Sequence, residues 1–162
     1  MRNLNLLQLN VRKFKSLSFQ MLVIIITLPF ASCNTDKVNP AVDSGEEIQN
    51  QIDKGEVEVI KVGNFMGAAH PTSGKVQVIK EQNGDLKLVF SNFKTDPGPD
   101  LRVYLAEDTK ATGFEEISKE IKNGDVSYNL PGNINLAKQM QVLIWCKAFS
   151  VNFGSAQLSD PG

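Results

Sequence analysis

Cys146 sits in Val142-Leu-Ile-Trp-Cys-Lys-Ala-Phe149. A thiol there can serve redox exchange if its thiolate is reachable, or can fill a core as a small hydrophobe. Strand alternation groups Val142, Ile144, Cys146 and Ala148 on one face, and Leu143, Trp145 and Lys147 on the other. Lys147, the cation that would favour thiolate, then faces away from the sulfur. A structural thiol and a redox thiol both stay open. His70, the single imidazole, follows the small residues Gly67-Ala-Ala. With Cys146 and Met66 or Met140 it makes part of a blue-copper set, which wants two histidines beside the cysteine. Haem held by His70 and a methionine, or by the Cys146 thiolate, is chemically allowed. Neither haem nor copper has a complete ligand set, so the cofactor stays unknown and no metal site is assigned. A hydrogen-bonded loop residue is the plainer expectation for His70.

Other constellations are thinner. Ser73 lies near His70 in His70-Pro-Thr-Ser-Gly74, but the sequence offers neither an oxyanion hole nor an orienting acid, so a hydrolase is the weakest reading and no catalytic residue is assigned. Thr95-Asp-Pro-Gly-Pro-Asp-Leu-Arg102 reads as a rigid turn with Asp capping backbone amides. Asp96 and Asp100 alone supply too few oxygens for a calcium loop. Glycine-rich phosphate loops, Gly-x-Ser-x-Gly and Cys-x-x-Cys motifs are absent. With 17 Lys and Arg against 18 Asp and Glu there is no basic field for a nucleic-acid partner, and one His with two Cys excludes zinc fingers and three-histidine sites.

These residues need strands to hold them. Apolar residues recur at spacing two in Val57 and Val59, in Val76 and Val78, and in Leu86, Leu88 and Phe90. Asn83-Gly84 joins two such runs and predicts a tight hairpin with positive φ at both residues. Further strands are expected at Leu101 to Ala106, Val126 to Leu130, Gln141 to Lys147 and Phe149 to Phe153, punctuated by Pro97-Gly98-Pro99, Asn123-Gly124 and Pro131-Gly132. The fold class that follows is all-β: an antiparallel β-sandwich or barrel-like domain with one or two short helices. Helical turns are expected over Glu115 to Lys122 and over Asn135 to Met140. A short helix is expected where Ser44 and Glu47 form a capping-box pattern, Ile48 and Ile52 fall four apart and Gly55 can stop the chain.

Upstream lies an address. Arg2, Arg12, Lys13 and Lys15 precede the uncharged stretch Ser16 to Asn34, whose apolar centre is interrupted by Pro29. That is the layout of a secretory signal rather than of a membrane span, which needs about 20 apolar residues. Phe30-Ala31-Ser32-Cys33 resembles the lipobox of bacterial lipoproteins, with Phe30 in place of the usual Leu. The resemblance implies lipid attachment at Cys33, hence an exported chain anchored to the membrane and facing periplasm or cell surface. An ordinary signal peptide cut nearby would instead leave Cys33 free. Losing the leader's four cations leaves 13 − 18 = −5, all of it between residues 34 and 58. The organisation read from this is a signal peptide at 1–32, an acidic tether with a short helix at 33–55, and a β domain at 56–162.

Several motifs recur in order across the β domain: Gly63-Asn-Phe65 with His70 and Ser73-Gly74; Phe93 with Gly98-Pro99-Asp100-Leu-Arg-Val-Tyr-Leu105; Tyr128 with Leu130-Pro131; and Ile144-Trp145-Cys146-Lys147 with Phe149 and Phe153-Gly154-Ser-Ala156. Over about residues 57 to 159 this pattern resembles the DM13 domain family. The resemblance implies a β-rich fold and a part in electron transfer, often beside haem-binding DOMON domains. It makes Cys146 the suspected redox residue, Trp145 its motif partner, and His70 and Asp100 signature positions without an assigned role. No DOMON segment accompanies the domain in this sequence, so a redox partner is expected to be a separate protein. The competing reading is a non-enzymatic ligand- or protein-binding module in which Cys146 is structural. A stand-alone enzyme is not expected.

Overall fold

The computed structural model describes residues 42–162, with side chains from residue 45 onward. The signal segment, Cys33 and the first part of the tether lie outside the described residues, as does the Ser44 side chain of the capping-box expectation.

Alternation builds eight strands into an antiparallel, nearly closed barrel. They are β2 (Glu58–Gly67), β3 (Thr72–Lys80), β4 (Leu86–Thr95), β5 (Leu101–Ala106), β6 (Glu115–Ser118), β7 (Gly124–Asn129), β8 (Gln141–Cys146) and β9 (Val151–Gln157). Their order is β7-β4-β3-β2-β9-β8-β5-β6, and a three-residue strand, β1 (Val42–Ser44), pairs along β7. The barrel nearly closes where β6 approaches β7. β2 is the corner, pairing with β3 up to Asn64 and with β9 from Phe65 to Gly67.

Inward residues of successive strands make one core: Val76 and Val78 of β3, Leu88 and Phe90 of β4, Val103 and Leu105 of β5, Val142, Ile144 and Cys146 of β8. Phe65 packs edge-on against Phe90 and Phe93, with ring centroids 4.9 and 5.0 Å apart. The outer face is covered twice. A helix, α1 (Gly45–Asp53), lays Ile48 and Ile52 over Ile79 and Val89, so residues 42–55 of the expected spacer are docked on the barrel. On the other side Tyr104, Ala106 and Leu143 pack with Ala111 and Trp145.

Three local expectations are corrected. Glu115 to Lys122 is not helical: Glu115–Ser118 is β6, paired to β5, because its Ile117 fills the barrel core and that burial outweighs the local charge pattern. The helical turn expected over 135–140, by contrast, forms as a single turn closed by Gln139 N to Asn135 O (2.8 Å). The last strand begins at Val151 rather than Phe149, which sits 70% exposed in the preceding turn. Of Asn83-Gly84 only Gly84 has positive φ (90°), in a type I turn with a bulge closed by Gly84 N to Glu81 O (2.9 Å) and Glu81 N to Asp85 O (2.9 Å). Asn83 keeps an ordinary φ because its side chain accepts from Asp85 N (2.9 Å).

Candidate functional site

Cys146 ends β8, paired with Leu101 of β5 and Val151 of β9. Alternation turns it inward with Val142 and Ile144, and its side chain has no solvent exposure (0%). The thiol donates to Pro99 O at 3.0 Å. Pro99 belongs to the β4–β5 connection, residues 96–100, which crosses this end of the barrel. Gly98 is required there, since a Cβ would lie 2.7 Å from Cζ of Phe153. Asp100 takes a left-handed φ of 55°, its carbonyl accepting from Lys147 N (3.0 Å) and its carboxylate from Arg102 Nε (2.5 Å). The expected capping of amides by Asp100 is therefore replaced by an ion pair.

His70, on the turn between β2 and β3, reaches the same barrel end. Its N–H donates to Phe153 O (3.1 Å), its ring stacks on Phe153 with centroids 3.8 Å apart, and Nδ1 lies 3.3 Å from Asp96 Oδ2. An ionised carboxylate only accepts, so the proton in this bond belongs to Nδ1. The structure thus brings His70 and Gly98 against one ring, Phe153, with Asp96 bonded to His70 and Cys146 to Pro99 at the same barrel end. Asp96 and Phe153 are the participants that sequence reasoning passed over as a turn residue and a motif aromatic. Neither the 26-residue separation of His70 from Asp96 nor the stacking leaves a local pattern.

Trp145 goes elsewhere. It lies on the outer face, stacked at 6.2 Å on Tyr104, which in turn stacks on Phe114 at 4.2 Å. Burial, and then the neighbouring Glu116 carboxylate, push the Tyr104 phenol above its ordinary pKa. Glu116 also holds Arg102 (3.2 Å) and lies 4.0 Å from Lys147 Nζ, so Lys147 faces this outer network and not the sulfur.

The donors do not fit haem or copper. His70 bonds Asp96 through Nδ1 and would offer only Nε2, Cys146 is fully buried beneath Pro99, Met66 is 72% exposed on β2, and Met140 lies just before β8, at the opposite end of that strand from Cys146. Among the described residues, no three His, Cys, Asp or Glu side chains come together as a metal-ligand set. The His70 ring bonds Asp96 rather than Ser73, which instead lines a neighbouring groove of about 600 Å³ with Pro71, Lys94, Asp96 and Asn123.

Residues 64–158 match the family described as Electron transfer DM13. The chain belongs to the DM13 family. No similar curated protein and no similar solved structure was found. The matched span takes in β3 to β9 and the end of β2, and so contains every residue around Phe153, whereas β1 and α1 precede it. In this DM13 domain Cys146, His70 and Asp100 gather at one end of the barrel, while Trp145 belongs to its outer wall.

Proposed function

We propose that this DM13 domain is exported, lipid-anchored through Cys33, and exchanges electrons with a separate membrane or periplasmic partner, with Cys146 as its redox residue. The observation that carries the reading is the position of Cys146 at the end of β8, its thiol bonded to Pro99 O in the motif loop that carries Asp100 and that His70 meets at Asp96. With Cys33 carrying the lipid, Cys146 is the one thiol left, so a disulfide made by Cys146 requires a second molecule. In that exchange the Cys146 thiolate attacks one sulfur of a partner's disulfide, a Cys146–partner bond forms as the partner's S–S bond breaks, and the other sulfur leaves as thiolate.

A second reading is favoured by the complete burial of the thiol: a ligand- or protein-binding module in which Cys146 is core filling and the groove beside Asp96 is the contact site. Reaction of the folded chain with an aromatic disulfide separates the two. Under the redox reading a mixed disulfide forms at Cys146 without denaturant, and Cys146→Ala abolishes electron exchange with membrane extracts. Modification that awaits global unfolding, with every partner interaction kept in Cys146→Ala, would leave the binding module.

A further inference from the structure

The buried thiol raises the question of how anything reaches it. We propose that residues 96–99 are a lid over Cys146 and that His70 is the positioning residue that latches it, acting through Asp96. The biological meaning rests on the redox reading of Cys146, while the geometry stands by itself.

The lid has a firm end and a weak one. At its downstream end, Asp100 O takes a backbone hydrogen bond from Lys147 (3.0 Å), extending the β5–β8 ladder, and the Asp100 carboxylate binds Arg102. Upstream, Thr95 is fixed by two bonds to the Asn123 side chain, 2.9 and 3.1 Å. Between these posts, residues 97–99 are held among the described residues by one hydrogen bond, the one that Pro99 O accepts from the thiol. Pro97 and Pro99 have no N–H to leave unpaired and keep the segment stiff, so it can lift as a unit. On opening, the Pro99 carbonyl and the thiol each exchange one partner for water. Gly98 adds apolar approach to the side chains of Phe153 and Leu101.

What remains is Asp96. Its carboxylate meets His70 Nδ1 with both side chains roughly half exposed, 49% and 41%, so water competes for the bond. His70 itself does not move with the lid, because its N–H and its ring are both fixed to Phe153 of β9. The imidazole is thus a post, and Asp96 is the part of the lid that leaves it.

The test uses the full chain carrying Cys33→Ser, which leaves Cys146 as its one thiol, and a small aromatic disulfide as probe. Modification rates are compared with the urea midpoint read from the single tryptophan. We expect wild-type modification to be slow but faster than global unfolding allows. Asp96→Ala and His70→Ala should each raise the rate about twofold to fivefold, the range of an exposed pair. The double variant should go no further, and Asp96→Asn, which keeps an acceptor oxygen without disturbing the His70 stack, should return toward wild type. Asp160→Asn, breaking the Lys61 pair elsewhere on the barrel, should change nothing. Unchanged rates in both alanine variants, multiplying effects in the double, or rates that simply follow the urea midpoint would overturn the latch. If the latch behaves as expected and electron exchange survives Cys146→Ala, the lid stands and the redox reading falls.

Discussion

Cys146 and Trp145 are neighbours in sequence and strangers in space, because successive side chains of β8 leave the sheet on opposite sides. That separation was legible from alternation alone, since Val142 and Ile144 mark the inner face and Lys147 the outer. The lid above the thiol was not, because its contacts join residues 70 and 96 of two connections with residues 146 and 153 of two strands. Tyr128 makes a further case at this scale. Its phenol is buried in the barrel core, and burial pushes its pKa well above the ordinary value of 10.0. A raised folded-state pKa means that the stabilisation is fully present below 10.0 and is lost as pH rises above it toward the folded value. Thermal stability should therefore fall above that pH in wild type and fall less in Tyr128→Phe, which keeps the ring. Parallel alkaline losses in the two proteins would show that Tyr128 is not the group responsible.

Among elements, β6 was misread and α1 was not, for reasons that differ. In α1 the apolar spacing of Ile48 and Ile52 and the docking face agree, so the local pattern and the tertiary contact point the same way. In β6 they disagree: Ile117 and Ile121, four apart among charges, look helical, yet the open edge of β5 offers backbone partners and the core offers Ile117 a place. Truncation measures which environment it has. Ile117→Ala should lower unfolding stability by about 2–4 kcal/mol, as for a buried aliphatic residue, whereas on a surface helical turn the loss would stay under about 1 kcal/mol. Urea unfolding followed by Trp145 fluorescence distinguishes the two. The loop from β5 to β6 adds a pH-sensitive element: Asp108 accepts from Thr112 N (3.0 Å), Thr112 Oγ1 (2.8 Å) and Lys110 N (2.8 Å), which holds its carboxyl below the usual value of 3.8. Its contribution is present above 3.8 and is lost as pH falls through the lower folded value. Because the loop's Phe114 stacks on Tyr104, acid should change the fluorescence around Trp145 in wild type and not in Asp108→Asn.

For the whole molecule, the anchor and the barrel make separable expectations. If Cys33 carries lipid, the full chain partitions into the detergent phase and Cys33→Ala leaves it in the aqueous phase with an unchanged unfolding midpoint; equal partitioning of both would remove the anchor. Residue types, their spacing of two and the Gly and Pro punctuation were enough to determine an all-β domain, its inward and outward faces and its family, because these depend on short-range sterics and on which side chains leave water. Whether the sheet opened into a sandwich or curled into a barrel, where β6 would form, and which loops would meet over the thiol were decided only in three dimensions. Those outcomes depend on strand order and on contacts between residues tens of positions apart. The packing of Gly98 and His70 on Phe153 is one such contact, and no local pattern encodes it.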